Sequence, residues 1–72
     1  MGRPMTPLEV LARVYEYADV GEETARARKH DRMTPPDEVD RAQGQADAYR
    51  IVLSTIRDAH EVYDEVRRIL DA

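Results

Sequence analysis

The stretch MTPPDEV (residues 33–39) decides the fold, because it marks where one helix has ended and another begins. Read as a helix start, it puts Thr34 at the N-cap and Pro35 and Pro36 in the first turn, where a missing N–H costs nothing. Asp37 and Glu38 then lie beside the positive end of the helix dipole. An earlier stretch, MTPLEV (residues 5–10), has the same design. Thr6 is the cap, Pro7 takes the first helical position, Glu9 completes a capping box, and Met5 and Val10 are placed for a hydrophobic staple. The residues after the two starts (LARVYEY and DRAQGQA) share no further pattern, so the echo is two helix starts and not an internal repeat.

Between the two starts, Leu8, Leu11, Val14, Tyr15 and Ala18 recur at helical spacing, and the stripe thins through Gly21, Ala25 and Ala27. The far end of that segment is basic, which suits the negative end of a helix dipole. After Pro36 no proline interrupts a second stripe of Val39, Ala42, Ala46, Tyr49, Leu53, Ile56, Tyr63, Val66 and Leu70. The spacing predicts helix 1 over about 7–31, a turn over about 32–34 and helix 2 over about 35–71. Such a chain is a single all-α domain, an antiparallel αα-hairpin whose second helix is the longer. Gly21 and Gly44 are the weak points at which either helix could break, each costing up to about 1 kcal/mol relative to alanine.

A turn near Met33 places Leu8 near Asp58, so HEVYDEVRRILDA (residues 60–72) would project about 20 Å beyond helix 1. Val62, Tyr63, Val66, Ile69 and Leu70 would be stranded there, although burying each removes about 1.5–3 kcal/mol of unfavourable exposure. These five residues are therefore the expected self-association surface, and the expected assembly is a homodimer of two hairpins, a four-helix bundle. Tyrosine suits such seams because its ring can be covered while its hydroxyl stays wet, so Tyr63 is the interface candidate and Tyr15 and Tyr49 the core ones.

Composition narrows the function. Seventy-two residues give a small core that profits from a partner, and the absence of cysteine removes both disulfide staples and thiolate metal sites. The net charge is −4, with six basic and six acidic side chains in residues 1–33 against five and nine in residues 34–72. That balance gives no overall attraction for nucleic acid. No apolar run approaches the roughly 18 residues of a membrane span and the start lacks a signal-peptide core, so a cytoplasmic protein without membrane contact is expected.

Carboxylates at Glu16, Asp19, Glu22 and Glu23, and again at Asp58, Glu61, Asp64 and Glu65, have a helical spacing similar to that of the α-helical nucleotide pyrophosphohydrolases. That resemblance implies magnesium held between acidic pairs on neighbouring helices. In the hairpin register the two groups do not converge, and a solvated charged face is expected instead. His60 lies three residues after Arg57, not after the glutamate of a Glu-x-x-His motif, and His30 is at the opposite end of the hairpin. No catalytic residue, metal ligand or cofactor is expected.

ADVGEETARARKH (residues 18–30) resembles the turn and recognition helix of helix-turn-helix proteins, in which a turn precedes two variable residues, a threonine and a small residue. The resemblance implies a DNA-binding regulator that uses Thr24, Arg26 and Arg28. Asp19 stands where that family has a turn glycine, and Tyr15 where it has a small residue. RAQGQADAYRIVLSTI (residues 41–56) and the preference for arginine, ten of eleven basic residues, resemble small helical accessory proteins of actinobacteria and their phages. That likeness implies a factor acting on another protein. The expected function is thus a non-enzymatic, homo-oligomeric helical protein working by protein–protein interaction, with the DNA-binding regulator as the alternative.

Overall fold

The computed structural model describes residues 2–72, which form three helices: α1 (Pro7–His30), α2 (Pro36–Asp58) and α3 (His60–Asp71). At the first start the Thr6 half of the expected capping box forms, while the Glu9 carboxylate turns to Arg3 and Met5 and Val10 stay half exposed. The Glu9 N–H donates to Thr6 Oγ1 at 3.2 Å, Pro7 opens α1, and the Glu9 carboxylate pairs with Arg3 at 3.3 Å. Helix α1 runs unbroken through Gly21 to the basic turn Arg28, Lys29 and His30, and α2 runs unbroken through Gly44.

The connection spans residues 31–35 and is held from within. The Met33 N–H donates to Asp31 Oδ1 at 2.9 Å, and the Thr34 hydroxyl donates to the Arg28 carbonyl at 2.8 Å. Thr34 therefore closes the end of α1 and does not cap α2. The N-cap of α2 is Pro35, which has no side chain to offer, and the acidic first turn of Asp37 and Glu38 stands in for it. The facing residues are displaced along the hairpin from the expected register, which sets Leu8 near Asp58: the last turn of α2 meets Tyr15 instead, through Arg57 at 2.9 Å, and Glu22 meets Arg50 at 3.9 Å.

The largest departure is at Ala59. The expected second helix over 35–71 ends instead at Asp58, Ala59 adopts φ −85° and ψ 75°, and α3 bends onto α1, with Tyr63 beside Tyr15 and Ile69 and Leu70 near Ala12. There is no overhang. Val66 is fully buried, and Val62, Tyr63, Ile69 and Leu70 pack against a core of Ala12, Tyr15, Ala18, Leu53 and Ile56. Interrupting a helix forfeits a few hydrogen bonds of net worth about 1 kcal/mol each, whereas covering five apolar side chains recovers more. The Ala59 N–H still finds the Ile56 carbonyl at 3.2 Å, and the Tyr63 N–H finds the Ala59 carbonyl at 2.8 Å, so the break leaves little unsatisfied.

Towards the turn the seam between α1 and α2 is lined by buried Ala25, Ala42 and Ala46, small enough for close helix approach. The three helices form a slab of 43 × 32 × 17 Å with a radius of gyration of 14.8 Å, where a compact chain of this length has about 11 Å. No helix is long and apolar enough to cross a membrane among the described residues.

Candidate interaction face

Helix α1 has two apolar sides. Leu11, Ala12, Tyr15 and Ala18 face the other helices, and Ala12 and Glu16 lie against Ile69 and Leu70 near the end of α3. The second side carries Val10, Val14, Tyr17 and Gly21, then Thr24 and Arg28, each three or four residues from the last, so that they share one line along the helix. No helix covers the first part of this line: Val10 is 48% exposed, Val14 44% and Tyr17 70%. Val14, expected in the core stripe, is on this outer side. Val20 and, on α2, Ile51 are further exposed apolar residues.

Where the line passes Gly21, α2 meets it. The Tyr49 ring lies so close to the Gly21 backbone that a Cβ there would come within 2.7 Å of it, and it meets the Tyr17 ring edge-on, with centroids 6.0 Å apart. Gly21 is thus the place where an aromatic ring rests on bare helix backbone. Tyr17, Val20, Thr24, Arg28, Gln45 and Tyr49 surround a groove of about 210 Å³ over it. The Tyr17 hydroxyl beside Tyr49 holds the Tyr49 phenol above its ordinary value, because hydrogen bonding and charge repulsion within the pair both resist a phenolate.

The opposite flank is polar and locked by arginine. Arg57 Nε donates to the Tyr15 hydroxyl at 2.9 Å, its guanidinium stands 5.7 Å from the Tyr15 ring centroid, and the Tyr63 ring lies 5.7 Å away on the other side. Burial raises the Tyr15 phenol above its usual value against the opposing pull of Arg57. Asp19, Glu22, Glu23, Arg26 and Arg57 line a shallow polar cleft beside it, and Glu22 pairs with Arg26 and Arg50. Among the described residues no three histidine or carboxylate side chains gather as a metal site would require. His60 opens α3 and His30 closes α1, at opposite ends of α2.

The structure separates the three residues of the helix-turn-helix resemblance. Thr24 and Arg28 border the groove, whereas Arg26 lies on the opposite flank, paired to Glu22. The turn that the resemblance places near Asp19 to Gly21 is helical, inside α1.

Sequence reasoning assigned the apolar residues of α1 to one stripe and read Gly21 as a weak point. The signal it passed over was the second periodicity, Val10, Val14, Tyr17 and Gly21, which has the four-three-four spacing of a helix seam. No family model, curated protein or solved structure matches the chain.

Proposed function

We propose that the chain is a non-enzymatic, homo-oligomeric helical protein that acts by protein–protein interaction, and that the uncovered side of α1, completed by Tyr49 and Gln45 of α2, is its working surface. One observation carries this. The molecule exposes 5687 Å², whereas a monomeric protein of 8.3 kDa exposes about 4,600 Å². Residues 2–6, extended and exposed, account for part of the excess of about 1,100 Å². A standard interface removes about 800 Å² from each partner, and the bare apolar residues Val10, Val14 and Tyr17 of α1 are where such a partner would sit.

The five residues of the C-terminal stripe, expected as the self-association surface, pack within their own chain, and on this reading α1 offers the contact instead. Sedimentation equilibrium over a wide concentration range tests the proposal. The apparent mass should rise from 8.3 kDa towards twice that value. A mass that stays at one chain up to about 1 mM, beyond the weakest useful affinity, would overturn it.

A further inference from the structure

We propose that the groove beside Tyr49 binds a small aromatic carboxylate, whose ring lies against Tyr17 and Tyr49 and whose carboxylate is held by Arg28. The groove is formed within one chain, so the inference goes beyond the association proposed above and does not depend on it.

The Tyr49 ring closes the groove at Gly21, and the open space runs from it past Thr24 and Ala25 towards Arg28. Two of its walls are aromatic. The Tyr17 and Tyr49 rings stand at 71° to one another, so a third ring can lie along one and present its edge to the other, the two arrangements that aromatic rings favour. At about 210 Å³ the space is smaller than the roughly 300–1,000 Å³ of sites for drug-sized molecules, so it takes one or two rings and not a nucleotide.

Charge selects an acid. Arg28 is the single charged residue lining the groove among the described residues, whereas the polar cleft beside Arg57 and the one between the ends of α1 and α3 hold carboxylates as well as arginines. Of the three arginines in α1, Arg13 pairs with Glu16 and Arg26 with Glu22, but Arg28 pairs with no carboxylate among the described residues. Asp31, the next acid along the chain, is turned to the Met33 N–H. Helical side chains lean towards the N-terminus of their helix, which carries the Arg28 guanidinium back over Thr24. The Thr24 hydroxyl and the Gln45 amide border the same end and offer neutral donors to a second carboxylate oxygen. Arg41, one turn before Gln45 on α2, adds a further cation on that side.

The chain has no tryptophan, so a naphthalene probe can be excited without exciting the protein. 2-Naphthoate should bind saturably with a Kd of about 1 mM or tighter, the affinity of about a dozen ordinary ligand atoms. 2-Naphthamide, which has the same rings and no charge, should bind about tenfold more weakly, the worth of a charge-assisted contact. Arg28→Gln, at an exposed position, should erase that preference with the helical circular dichroism unchanged, while Arg26→Gln on the opposite flank should preserve it. The backbone amide resonances of Gly21, Thr24 and Gln45 should move as 2-naphthoate is added. Equal affinity for acid and amide, a preference that survives Arg28→Gln, resonance shifts centred elsewhere, or no saturation up to about 10 mM would each overturn the proposal. Sedimentation of the same samples reads the association separately, so either proposal can fail alone.

Discussion

The chain breaks its helix twice, by a reversal at residues 31–35 and by a bend at Ala59, and the two are made differently. At residues 31–35 the instructions are local: Asp31 and Thr34 hold the backbone with their own side chains, and Pro35 and Pro36 forbid the helix from continuing. At Ala59 there is no proline, no glycine and no side-chain cap; alanine is the best helix former there is. The bend happens because Val62, Tyr63, Val66, Ile69 and Leu70 have somewhere better to go. One turn is set by the residues in it and the other by residues up to eleven positions away.

If that contrast is right, removing the reason for the bend at Ala59 should erase it. Val66→Asp places a carboxylate in a fully enclosed site and should cost more than about 3 kcal/mol through lost packing and charge burial. The released α3 should then read on from α2 as the long helix that the sequence pattern describes. Denaturant unfolding gives the cost, and backbone carbon shifts at Ala59 report the conformation. A non-helical Ala59 in a detached α3 would mean that the break is local after all. Val66→Ala, a milder change, should move the same two readouts in the same directions.

Tyr15 fastens the bend from the α1 side, since it touches Arg57 in the last turn of α2 and Tyr63 in α3. Tyr15→Phe should cost about 1–2 kcal/mol, the worth of a hydrogen bond from a charged donor. The same tyrosine gives a pH dependence with a definite sign. Its folded-state pKa is raised above the ordinary value near 10, so the folded chain holds this proton more tightly than the unfolded one. The associated stability is present below pH 10 and is lost as the pH rises through the raised value. Thermal melts at successive alkaline pH should show a decline that is shallower in Tyr15→Phe.

The reversal at residues 31–35 should respond to small local edits. Thr34→Val removes the bond to the Arg28 carbonyl and should lower stability by about 1 kcal/mol without changing the helix boundaries, because the prolines remain. An unchanged unfolding midpoint would show that the hydroxyl bond adds nothing the prolines do not supply.

These differences also explain what could be read from the sequence. The cap at Thr6, the proline at the start of α1 and the acidic opening of α2 are governed by neighbours within four residues, and they stand as the sequence predicts. Thr34 was misplaced because a threonine before two prolines can serve the helix behind it as well as the one ahead. The bend at Ala59 carries no local mark, and only the energy of the stranded stripe points to a need for cover. Cover came from the same chain. On α1, Val14 fits both apolar lines, so its placement depended on which side α2 and α3 would take.

The smallest expected effect is also the most direct test of why Ala59 carried no signal. As the residue before α3, it leaves the first N–H groups of that helix without a side-chain acceptor. Ala59→Ser would supply one to Val62, the third residue of α3, and should raise stability by about 0.5–1 kcal/mol. The substitution also discriminates between the bent and the continuous helix, because serine is favoured at a cap and mildly disfavoured within a helix. In a chain whose native form bends at residue 59, the unfolding midpoint therefore moves up. Combined with Val66→Asp, which removes the bend, the same serine should lower the midpoint slightly instead. That change of sign would show that the conformation at residue 59 is decided by the packing of α3.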